Sequence, residues 1–168
     1  PLTEETDADL AAAITELRYT QFLSPSLGLF LGKFITLGGD ANEFAGGRGD
    51  TQFLGHSFLS ASVTALVNPY STLGAGAFWM PDEDTFVSTS LYSAADSSTT
   101  SGFSELGDGW VWSSSIRTRH ELDEKPGGMM LTAQYGFDSS FPDFDGGFVG
   151  DDGLRLPLEQ DSWDVFWN

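Results

Sequence analysis

"WVWSSSIRTRHELDEKPGGMMLTAQYGF", residues 110–137, alternates with a period of two on both sides of a polar break. Over 110–121, Trp110, Trp112 and Ile116 fall on one side, and Ser113, Ser115, Arg117, Arg119 and Glu121 on the other. Over 129–137, Met129, Leu131, Ala133, Tyr135 and Phe137 alternate with Met130, Thr132, Gln134 and Gly136. Alternation at period two is the mark of a strand with one apolar face. The break, Asp123-Glu124-Lys125-Pro126-Gly127-Gly128, has the chemistry of a turn. The stretch therefore predicts an antiparallel hairpin, with strands over 110–122 and 129–138 and a turn over 123–128.

The same pattern recurs outward. Leu73, Ala75, Ala77 and Trp79 alternate with Thr72, Gly74 and Gly76; Trp163, Val165 and Trp167 alternate with Ser162, Asp164 and Phe166. Weaker alternation marks 14–23 and 27–37, and 85–94 leaves its apolar side ambiguous. The expectation is an all-β chain of seven strands: 14–23, 27–37, 71–80, 85–94, 110–122, 129–138 and 161–168. Most exceed the globular mode of about five or six residues and match the roughly nine to eleven that cross a bilayer at a tilt.

The connections alternate as well. Segments 24–26, 81–84 and 123–128 are short, while 38–70, 95–109 and 139–160 are long. An up-and-down meander then carries tight turns at one end and long loops at the other, the asymmetry of transmembrane β-barrels. In such a barrel the Trp, Leu, Tyr and Phe set faces lipid, and the Thr, Ser, Gln, Gly and charged set faces water. Trp79, Trp110, Trp112, Tyr135 and Phe137 would form interfacial girdles. In a soluble β-sandwich the same aromatics would fill a core, and periodicity alone does not separate the two. Seven strands do not close an ordinary bacterial barrel, which uses an even number from eight upward. The expectation is one partial barrel domain over 1–168, an open section of a larger barrel.

The chain of 168 residues carries a formal charge of −18, which argues against nucleic acid and against an anionic membrane face as partners. It has no cysteine, so disulfides and thiolate metal sites are excluded. No signal peptide or starting Met is present, and Pro1 reads as the start of a mature or trimmed piece.

Several motifs stand in order: "YTQFLSPSLGLFLGKF" (19–34), "GDANEFAGGRGDTQF" (39–53), "NPYSTLGAGAFWMP" (68–81), "SGFSEL" (101–106) and "KPGG" (125–128). Together they resemble the carbohydrate-selective porin family of Gram-negative outer membranes (the outer-membrane porin B type), from about Tyr19 to Asp138. The resemblance implies a sixteen-strand barrel in the cell outer membrane that admits sugars by passive or facilitated diffusion. Its partners would be sugar solutes and outer-membrane lipid. It implies no cofactor and no enzyme activity. Where the family often has His or Lys, this chain has Gly46 or Gly47, so a contact through that side chain is not carried over.

Passive transport needs an aqueous path, a constriction and weak polar contacts. By inferred inward direction the strand candidates are Arg18, Lys33, Arg117, Arg119 and Glu121. The 38–70 segment is too long for a structureless connection and would fold inward as a constriction loop, with Asn42, Glu43, Arg48 and Asp50 as its candidates. Arg117, Arg119 and Glu121 could equally form an ion-pair ladder along the wall, and Arg48 could touch solute or anchor its loop to a carboxylate. Arg48-Gly49-Asp50 is a common tripeptide, and "GGRGD" lacks the ending of a P-loop. In "DFDGGFVGDDG" (143–153), Asp143, Asp145, Asp151 and Asp152 are oxygen donors for a weak Ca²⁺ candidate without the twelve-residue loop pattern. No nucleophile-elbow sequence appears, and no catalytic residue is assigned. Two other classes compete with the porin reading: a secreted soluble β-sandwich that binds glycans, with or without Ca²⁺, and a structural barrel wall without selectivity.

Overall fold

The computed structural model describes residues 14–36, 68–143, 146–150, 153–155 and 157–167. Its strands, in chain order, are β1 (Leu17–Phe22), β2 (Leu27–Ile35), β3 (Ser71–Trp79), β4 (Thr85–Ser93), β5 (Trp110–Leu122), β6 (Lys125–Phe137), β7 (Phe141–Pro142), β8 (Phe148–Gly150), β9 (Gly153–Arg155), β10 (Leu158–Glu159) and β11 (Ser162–Trp167). Seven of them make one antiparallel sheet in the order β1-β2-β3-β4-β5-β6-β11, and the sheet does not close. The expected meander is thus present. Its tight turns lie at one end and its long connections at the other.

Two connections differ from expectation. The β5–β6 turn is Asp123-Glu124 alone, with φ of 53° and 60°. Positive φ at both central residues matches the right-handed twist of a two-residue hairpin. Lys125 pairs with Leu122 and Pro126 with Glu121, so "KPGG" belongs to the strand and not to the turn. The 139–160 connection also carries structure. Within it β7 pairs with β10, and β8 with β9, as two small ribbons.

Register sorts the side chains into two faces, since directly opposed residues share a face. Tyr19, Leu31, Ala75, Leu91, Trp112, Tyr135 and Trp163 stand in one row across all seven strands. Four residues further along, Leu27, Trp79, Val87, Ile116, Leu131 and Trp167 form another. On this tryptophan face Trp163 is 75% exposed, and Trp79, Leu91, Trp112, Leu131 and Trp167 are exposed as well. The opposite face carries Arg18, Phe30, Phe78, Phe86, Gln134 and Arg117, and we call it the arginine face.

The buried apolar set among the described residues is small: Phe34, Tyr92, Val111 and Phe141, with Phe30 and Ala94 against it. The phenylalanines correct the expectation that the aromatic set faces one way. Phe30, Phe34, Phe78 and Phe86 share the arginine face, while the tryptophans hold the other. Glycine makes room for them. Phe78 lies over Gly28 and Phe30 over Gly76, each ring occupying the space a Cβ would take. The described residues supply no second large sheet to cover the tryptophan face. The sandwich alternative therefore has no opposing layer among them.

Candidate functional site

On the arginine face, two runs of aromatic rings each end on a guanidinium. In the first, Arg18 Cζ sits 5.9 Å from the Phe30 ring centre. Phe30 meets Phe34 edge-on at 5.6 Å, and Phe34 meets Tyr92 at 5.8 Å. In the second, Phe22 meets Phe78 edge-on at 5.3 Å, and Phe78 stacks on Phe86 at 5.8 Å. Arg117 Cζ then lies 5.3 Å from the Phe86 ring centre. A guanidinium within about 6 Å of a ring is held by the ring's quadrupole while its N–H edge stays free to donate. The pair thus offers an apolar ring and a fork of donors side by side. Those are the two surfaces that a hydroxyl-rich ring presents in complement.

The other strand candidates separate. Arg18 lies 3.9 Å from Glu16, both well exposed. Arg119 and Glu121 share the parity of Arg117 but stand near the β5 hairpin tip, opposite Gly128 and Pro126, and are exposed. Lys33 corrects its expectation. It stands in register with Leu17 and Leu73, on the tryptophan face, and is buried. Its Nζ donates to Ser97 O (2.5 Å) and Thr100 O (2.7 Å). The 94–109 connection folds back over that end of the sheet, and Lys33 fastens it instead of facing solute. In the same connection the Ser104 hydroxyl donates to Glu105 Oε1 at 2.8 Å. That bond is the main reason the Glu105 carboxyl titrates below the usual glutamate range, and the Lys33 ammonium adds to it.

Asn42, Glu43, Arg48 and Asp50 lie outside the described residues. The base of their segment is described. Thr36 N donates to Tyr70 O (3.2 Å), and the Thr36 hydroxyl to Pro69 O. Asn68, 9% exposed, reaches onto the arginine face. Its Nδ2 donates to Gln134 Oε1 (3.0 Å), and its Oδ1 accepts from the Tyr92 hydroxyl (2.9 Å). Gln134 Nε2 donates to Tyr92 Oη (3.2 Å) and Ser113 Oγ (3.1 Å), which closes the network. Of the acidic candidates, Asp143 accepts from Gly146 N at 2.9 Å; Asp145, Asp151 and Asp152 lie outside the described residues. Among the described residues no three His, Cys, Asp or Glu side chains gather as a metal site.

Sequence reasoning missed the phenylalanine runs and the Asn68–Tyr92–Gln134 network. The first had a signal: Phe30 and Phe34 have the parity opposite to Leu27, Leu29 and Leu31. The second had none, because it joins residues far apart in the chain.

A solved structure of Pseudomonas putida OprB, determined at high pH, shares this fold with a TM-score of 0.65. The match covers 91% of this chain and 39% of that one, at 16% sequence identity. This chain therefore spans 39% of OprB's length. No protein-family model matches the chain, and no curated protein does.

Proposed function

We propose that this chain forms part of an outer-membrane porin through which carbohydrates diffuse. The observation that carries the reading is the two-faced sheet. An exposed Trp, Leu and Ile face runs across all seven strands, backed by a face of arginines, hydroxyls and stacked phenylalanines. A soluble monomer rarely leaves so large a contiguous apolar face uncovered, whereas a barrel wall in lipid requires one. The motifs resembling the porin B type and the fold likeness to OprB support the same reading. The proposed mechanism is passive. Arg18 and Arg117 hold donors against ring faces, and a sugar exchanges water for these contacts one at a time. Arg119 and Glu121 would wet the approach at the short-turn end. Asn42, Glu43, Arg48 and Asp50 belong to the proposed constriction, whose base Asn68 fixes to the wall.

The test is electrical. The whole protein, reconstituted in a planar bilayer, should conduct ions and be blocked reversibly by added maltose. Conduction without block would leave only a barrel wall. A protein that stays monodisperse in plain buffer after detergent removal would refute the membrane reading altogether.

A further inference from the structure

A pocket opens beside the Asn68–Gln134 network, at the Tyr92 end of the first ring run. It is lined by Asn68, Gln134, Ser162 and Asp164 over a floor of Val111 and Phe141, and its enclosed space holds about one water-sized group. Phe141 is 3% exposed, and its ring lies over Gly136, so the floor is apolar and packed. Asp164 opposes Gln134 on the neighbouring strand. Its Oδ1 is buried and has no hydrogen-bond partner among the described residues. A buried carboxylate oxygen left without a donor is unfavourable, because burial strips it of water and nothing replaces that hydrogen bond. The neighbouring amides do not supply that donor. Both Gln134 Nε2 hydrogens go to Tyr92 and Ser113, and one Asn68 Nδ2 hydrogen goes to Gln134 Oε1, none reaching Asp164 Oδ1.

The pocket's chemistry narrows its ligand. A carboxylate repels anions. Ca²⁺ wants about six to eight oxygens, and here Asn68 Oδ1 and Gln134 Oε1 are already taken as acceptors. A neutral O–H donor remains. The enclosed space admits about one water-sized group, the hydroxyl at the end of a projecting arm and not a sugar ring. Of the groups on a pyranose, the exocyclic hydroxymethyl stands furthest from the ring. Asp164 lies on the face of Arg117, about 13 Å along the strand direction and two strands across.

The geometry points to a second sugar subsite here, in which Asp164 Oδ1 accepts a hydrogen bond from a solute hydroxymethyl group while Ser162 and Asn68 border it. This inference rests on the porin reading above and adds a specificity determinant to it. Its consequence is a preference for hexoses over pentoses, because xylopyranose is glucopyranose without that arm.

The experiment measures sugar block of the whole protein in planar bilayers with glucose and xylose. Wild type should be half-blocked by glucose at a concentration about tenfold below that for xylose, the size of one charge-assisted hydrogen bond. Asp164→Asn should raise the glucose value about tenfold and leave the xylose value in place. Equal values for the two sugars in wild type would overturn the subsite, as would unchanged glucose block in Asp164→Asn; in that case water alone satisfies the carboxylate. If neither sugar blocks wild type, the porin reading itself fails. Should Asp164→Asn not fold, Ser162→Ala serves instead, with a glucose-only loss of about threefold expected and no change overturning the proposal.

Discussion

Arg117 rests on the Phe86 ring, and under the proposed function the same side chain would also meet solute. Resting on Phe86 fixes its plane, so its donors are preorganised toward the open side. Arg117→Ala should raise the half-blocking sugar concentration about three- to tenfold, the range for loss of one or two charge-assisted bonds. Arg117→Lys should recover only part, because a point charge lacks the planar fork. Block unchanged in both variants would remove Arg117 from the solute path. Lys33 ties the 94–109 connection to the sheet. Lys33→Met leaves the carbonyls of Ser97 and Thr100 without their donor and should destabilise the protein by about 2 kcal/mol. It should also speed hydrogen exchange across 94–109 while leaving sugar block unchanged. Glu105 makes the same connection pH-sensitive. Its folded-state carboxyl is held low, chiefly by Ser104. Its contribution is therefore complete above the unfolded value near 4.3 and is lost as pH falls through the lower folded value. Ser104→Ala should move the onset of acid-induced exchange in this connection upward in pH; an unmoved onset would show that the hydrogen bond has no part in it.

Strand pairs show where sequence and structure agree and where they part. Period two placed the sheet strands because a sheet with two unlike faces writes its geometry directly into the chain. The face of Trp112, Leu131 and Trp163 was legible for that reason. Face assignment by residue type failed at Phe30, Phe78 and Lys33. Phenylalanine was counted with tryptophan, yet each ring is accommodated by a glycine on the next strand, and that partnership exists only once register is set. Lysine was counted with water, yet a connection from elsewhere in the chain covers it. At the β5–β6 hairpin, Pro126-Gly127-Gly128 imitates a turn by composition, while the actual turn uses Asp123 and Glu124, neither of which advertises positive φ as glycine does. The candidate site was legible only at Arg18 and Arg117. The ring runs and the Asn68 network depend on pairings that no local pattern carries. Two outcomes follow at this scale. Gly76→Val must displace the Phe30 ring and should cost about 1–3 kcal/mol in unfolding from detergent. Glu124→Gly relieves a left-handed residue and should stabilise by up to about 1 kcal/mol; a loss instead would mean that the Glu124 side chain makes a contact worth more than the strain.

For the whole molecule, what matters is which solvent meets the tryptophan face. A soluble partner and a bilayer would both cover it, but they differ in how the penalty for a buried charge varies with position. In lipid, an arginine on the exposed wall costs about 2–4 kcal/mol at the midplane and falls to about 0–1 kcal/mol toward either interface. Strand β6 offers a ruler, because Met129, Leu131, Ala133 and Tyr135 follow one another along the tryptophan face, with Met130 turned the other way. Replacing each in turn by arginine and measuring equilibrium unfolding from phospholipid vesicles should trace a maximum along the face, with smaller costs on both sides of it. Met130→Arg, pointing to the arginine face, should fall below that curve although it sits between two of its points. A wall in contact with a protein partner would give penalties that follow local packing, with no smooth maximum and no such dip. A flat or irregular profile would therefore remove the bilayer from the account, while a peaked one with Met130 beneath it would fix both the depth of the sheet in the membrane and the direction in which its arginines face.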